Sequence, residues 1–69
     1  MGFPLNALLQ KIRFLALQYQ EPARAALQHL EKKGLKTVEK DQFREALALS
    51  GNWSKVRGKV EEIWASLIG

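Results

Sequence analysis

Residues 4–19 read PLNALLQKIRFLALQY, and the spacing of their apolar side chains decides the fold class. Leu5, Leu8, Ile12, Leu15 and Tyr19 recur at steps of three and four, which places them on one face of a helix over 4–19. Leu9 and Ala16 widen that stripe. Phe14 and Leu17 project at least about 100° from its centre, since each step along a helix rotates the side chain by that angle. The segment therefore carries apolar residues on two sides. Either it runs through the middle of a bundle, or its second side is an exposed patch that awaits a partner. Buried apolar area is scarce in so short a chain, so the central position is expected.

Working towards the C-terminus, Glu21 and Pro22 open a second helix over 22–33: proline is preorganised for a first helical turn, and an acid there complements the helix dipole. Its inward residues are Ala23, Ala26, Leu27 and Leu30. Lys32 and Lys33 suit a last turn, Gly34 a left-handed cap, and Leu35 its hydrophobic closure. Thr37 reads as the N-cap of a third helix over 38–50, with Val38, Phe43, Ala46, Leu47 and Leu49 inward. Gly51 and Asn52 end it, and Asn52 or Ser54 caps a fourth over 53–68, where Trp53 leads into a stripe of Val56, Val60, Ile63, Trp64 and Leu67. No segment alternates with period two and both prolines fall at helix starts, so no strands are expected. The expectation is an all-α fold, a small four-helix bundle forming one domain over 1–69.

A chain of 69 residues buries only about 60% of the surface its unfolded form exposes. Without cysteine there is neither a disulfide framework nor a thiolate metal site, which makes a homo-oligomer or a protein partner a natural source of further burial. Eleven Lys and Arg against seven Asp and Glu give a net charge of +4, a balance that favours acidic partners such as nucleic acid. The cations are interleaved with acids from Lys11 to Lys59, as on an ordinary solvated surface. No run approaches the roughly 18 apolar residues of a membrane span, and the N-terminus lacks the order of a signal peptide. Asn6 stands where a myristoylation motif wants Ser or Thr. A soluble cytoplasmic protein without a membrane partner is expected.

The inventory for catalysis is thin. His29 is the one histidine and would need carboxylates or another chain to complete a metal site. Glu61 and Glu62 are adjacent, hence about 100° apart on a helix, and form no converging pair. No glycine-rich phosphate loop is present. The reading is a non-enzymatic chain with no catalytic residue, cofactor or metal.

Residues 46–55, ALALSGNWSK, resemble two families. Ala46, Leu47, Gly51, Asn52 and Ser54 match the first helix and turn of the helix-turn-helix in factor-for-inversion-stimulation-type DNA-binding domains, with Val56 and Val60 in apolar positions after the turn. That resemblance implies a glycine-containing turn and a separate recognition helix next. Here Glu61 and Glu62 stand at that point, in what reads as one continuous helix, and acids there would face phosphates. The same residues are similar to the last two helices of ubiquitin-associated domains, whose Met-Gly-Phe loop motif occurs here as Met1, Gly2 and Phe3, at the chain start.

Two surfaces stand out in the fourth helix. Lys55 and Lys59 lie one turn apart with Arg57 on the other flank, a candidate nucleic-acid contact. Ser54, Gly58 and Ala65 are small and lie opposite the apolar stripe. A glycine inside an exposed helix costs about 1 kcal/mol relative to alanine, which close approach of another helix would offset. With Phe14 and Leu17, these three are the candidate protein-interaction residues. The function expected is a small helical protein-interaction module that self-associates or binds a partner through exposed helix faces; the alternative is nucleic-acid binding through the fourth helix.

Overall fold

The apolar stripes form as expected, but two of the helices that carry them are broken. A computed structural model describes residues 2–51 and 53–69. Met1 and Asn52 lie outside the described residues, and with them the Asn52 cap and the first residue of the Met-Gly-Phe motif. The order is strand β1 (Phe3–Pro4), helix α1 (Leu5–Lys11), a 3₁₀ turn (Ile12–Phe14), α2 (Leu17–Lys32), strand β2 (Thr37–Val38), α3 (Lys40–Leu49), α4 (Trp53–Val56) and α5 (Val60–Ile68). The fold is all-α in class, with two short strands added.

The segment 4–19 is not one helix. Leu15 and Ala16 are extended, with ψ of 157° and 146°, and α2 starts at Leu17. Neither residue is a helix breaker, so the break comes from tertiary packing overriding propensity: it lets α2 turn back and pack against α1. Pro22, expected at a helix start, sits inside α2 and is buried there. It withdraws the amide that would bond to the Gln18 carbonyl.

The cap at Gly34 forms as expected. Gly34 has φ +85°, its amide donates to the Glu31 carbonyl at 2.9 Å, the Leu35 amide reaches the Leu30 carbonyl at 3.3 Å, and Leu35 packs on the core. Thr37 does not cap α3. It pairs with Pro4 in a two-residue antiparallel ribbon, Phe3 opposite Val38, which corrects the expectation of no strands. Leu5 continues this ladder by donating to the Lys36 carbonyl at 2.9 Å, and Val38 is wholly buried. The N-cap of α3 is Glu39, in a reciprocal capping box with Gln42.

α2, rather than the first segment, occupies the centre, packing against α1, the 3₁₀ turn, α3 and α4. Ala23 and Ala26 are fully buried on its inner face. Phe43 and Leu47 of α3 and Ile63, Trp64 and Leu67 of α5 complete the core with Leu5, Leu8, Ile12 and Leu15. Trp64 meets Phe3 edge-on at 5.8 Å and Phe43 at 5.6 Å, joining the ribbon to α3 and α5. Leu49, expected inside, is 61% exposed, because at about 100° per residue it points roughly 200° from Leu47 and away from the stripe of Phe43, Ala46 and Leu47.

The helix read over 53–68 is also two. Gly58 has φ +82°, a left-handed conformation that ends α4, and Lys59 caps α5. Lys40 at the start of α3 holds Glu61 in the first turn of α5 through an ion pair at 2.8 Å.

Candidate functional site

The break at residues 15 and 16 builds a corner. The Leu15 amide donates to the Ile12 carbonyl at 2.9 Å and closes the 3₁₀ turn; the Tyr19 amide donates to the Ala16 carbonyl at 2.9 Å and opens α2. Gln20 braces the junction, its Nε2 donating to the Leu15 carbonyl at 2.9 Å. Leu15 is thereby turned into the core and its neighbours outward. Phe14 is 67% exposed and Leu17 82%, the two most exposed large apolar side chains among the described residues. The expected burial of this second apolar side is overturned: Phe14 ends the 3₁₀ turn, Leu17 opens α2 on its outer face, and among the described residues nothing covers either.

Two cations flank the Phe14 side of the corner. The Arg13 guanidinium stands 5.0 Å from the centroid of the Phe14 ring and the Lys11 ammonium 6.0 Å from it. Such contacts contribute about 0.5–1 kcal/mol at exposed sites and keep the ring flanked by positive charge. Arg13 and Arg24 of α2 also line, with Leu9 and Gln10, a crevice of about 310 Å³. That volume is at the small end of ligand pockets, which run to roughly 300–1,000 Å³. The sequence marked Phe14 and Leu17 through their angle, but not the cations. The adjacency of Lys11, Arg13 and Phe14 carried a signal for two of them. Arg24 had none, because only the fold brings α2 beside the turn.

The small-residue face is not assembled. Gly58 lies between α4 and α5, so Ser54, Gly58 and Ala65 do not share one helix face, and their reading as an interaction surface loses its premise. Among the described residues, no atom beyond its chain neighbours lies within 4 Å of where a Gly58 Cβ would stand. The glycine answers a backbone requirement rather than a close helix approach.

Lys55 belongs to α4, Arg57 to the turn and Lys59 to the cap of α5, so the one-turn spacing of Lys55 and Lys59 is lost. All three are exposed, and Arg44 of α3 adds a fourth cation nearby, its guanidinium 5.8 Å from the Trp53 ring. α4, the Gly58 turn and a separate α5 do restore the turn and second helix that the helix-turn-helix resemblance requires. The outward residues of α5 are Glu61, Glu62, Ala65, Ser66 and Ile68, without a cation among them. His29 Nε2 is enclosed without a hydrogen-bond partner, and among the described residues no three His, Asp or Glu side chains converge as metal ligands would. Among the described residues, no helix is long and apolar enough to cross a membrane.

No protein-family model matches the chain, and neither the curated proteins nor the solved structures contain a significant match.

Proposed function

We propose that this chain is a non-enzymatic protein-interaction module that docks through the corner formed by Phe14 and Leu17. The observation that carries the reading is their exposure, 67% and 82%, the two highest values of any large apolar side chain among the described residues. Burying a side chain of this kind contributes about 1.5–3 kcal/mol, so leaving two of them in water forgoes stability that a small domain lacks in abundance. A partner recovers it. The corner is also suited to recognition in kind, since aromatic and arginine side chains supply most interface hot spots.

The test is a photo-crosslinking amino acid placed at Leu17 and, separately, at Ser66 on the outer side of α5, in cells producing the chain. A discrete adduct from position 17, absent from position 66 and abolished by Phe14→Ser, is the expected result. Equal crosslinking from both positions, or adducts indifferent to Phe14→Ser, would count against the corner.

A second reading, nucleic-acid binding, draws on the exposed Lys55, Arg57 and Lys59 and on Arg44, whose guanidinium lies 5.8 Å from the Trp53 ring. Contact of three of these cations with phosphates predicts a log–log salt slope of about −2.7. Titration of a labelled duplex at two salt concentrations tests it: absence of binding at low salt, or binding indifferent to salt, removes this reading.

A further inference from the structure

We infer that the Phe14–Leu17 corner receives an acidic amphipathic segment of a partner protein, with apolar side chains against Phe14 and Leu17 and a carboxylate in the crevice between Arg13 and Arg24. The inference rests on the docking surface proposed above and adds the chemistry of what docks.

Charge complementarity is the argument. Lys11 and Arg13 flank the Phe14 ring, Arg13 and Arg24 line the neighbouring crevice, and Glu21 stands one turn from both Leu17 and Arg24 along α2. Arg13 and Arg24 come from different elements yet line one crevice, and among the described residues no carboxylate pairs with either. Two cationic side chains lining one cleft repel. A carboxylate entering between them relieves that repulsion and accepts paired N–H bonds in the fork geometry that arginine offers and lysine does not. Leu9, partly buried in the wall of the same crevice, gives the aliphatic stem of an Asp or Glu an apolar surface to lie along.

The same charges disfavour a second copy of this chain. A two-fold interface presents one patch to itself, so the positive charge of Lys11, Arg13 and Arg24 would be brought together from both copies. A negatively charged ligand without an apolar face would in turn leave Leu17, the most exposed apolar residue, uncovered.

The intact, isotope-labelled chain is titrated by NMR with a synthetic amphipathic helical peptide of leucines flanked by glutamates, and with the same peptide carrying lysines for glutamates. Further arms use phosphatidylglycerol vesicles and an oligonucleotide. The acidic peptide is expected to shift the amides of 11–17 and Arg24, with the lysine version at least about tenfold weaker, equivalent to 1.4 kcal/mol. Arg13→Gln with Arg24→Gln should abolish that preference while leaving the remaining spectrum unchanged, since both side chains are exposed. Equal affinity of the two peptides at Phe14 and Leu17 overturns the acidic-partner inference and leaves the docking surface standing. Tighter binding of vesicles or oligonucleotide at these residues overturns it in favour of that ligand, and concentration-dependent shifts at the corner without any probe overturn it in favour of self-association. Absence of shifts at the corner from the acidic peptide also overturns it; only failure of the crosslinking at Leu17 as well removes the surface itself.

Discussion

Replacing Gly58 by alanine is expected to destabilise the protein, and the sign of that effect discriminates between two local structures. In a continuous helix over 53–68, Gly58→Ala would stabilise by about 0.5–1 kcal/mol, because alanine loses less backbone freedom on folding. At the observed φ of +82° an L-residue carries a penalty of about 1–2 kcal/mol from the contact of its Cβ with the following carbonyl. Among the described residues, no atom beyond its chain neighbours lies within 4 Å of the new Cβ, so no packing clash adds to this. Restriction of the unfolded chain returns about 0.4–1 kcal/mol, which leaves a net loss near 1 kcal/mol. For a domain of this size that lowers Tm by about 4–8 °C. Urea and thermal unfolding followed by far-ultraviolet circular dichroism measures it. D-alanine at the same position, accessible by total synthesis in a chain this short, prefers positive φ and is expected to be neutral or stabilising. A rise in stability with L-alanine, accompanied by higher helix content, would refute the turn and restore the single fourth helix.

Leu47→Ala should cost about 2–5 kcal/mol, because Leu47 is fully buried, whereas Leu49→Ala, two residues on and exposed, should stay within about 0.5 kcal/mol; similar losses from both would contradict the orientation of α3. Glu39→Ala should cost about 1 kcal/mol through loss of the capping box, and Thr37→Ala less than half of that; the reverse order in urea melts would reinstate Thr37 as the cap. The Lys40–Glu61 pair is solvent-exposed at both ends, so Lys40→Met should change stability by less than about 0.5 kcal/mol, with a difference that fades at high salt. Phe14→Ser with Leu17→Ser should leave Tm within a few degrees, since neither side chain supports the core; a large drop would mean that the corner is structural.

Local pattern determined which residues face inward. Leu5, Leu8, Ile12 and Leu15, the Ala23-to-Leu30 stripe, and Val56, Val60, Ile63, Trp64 and Leu67 are all buried, and the Gly34 cap closes as its neighbours foretold. These follow from angular phase and turn chemistry, which a short window of residues contains in full. Continuity does not. A 3₁₀ turn keeps the step of three that a helix shares, so the stripe runs unbroken through Ile12 and Leu15 although the helix does not, and Gly58 fits a helix interior and a left-handed turn equally well on paper. Tertiary packing decided those breaks, the pairing of Val38 with Phe3 and, for the candidate site, which apolar side chains of residues 4–19 would be covered; the outward position of Leu49 was already in its phase against Phe43, Ala46 and Leu47. Which side chains are covered depends on elements distant in sequence. It is also what leaves Phe14 and Leu17 in solvent and brings Arg24 beside Arg13.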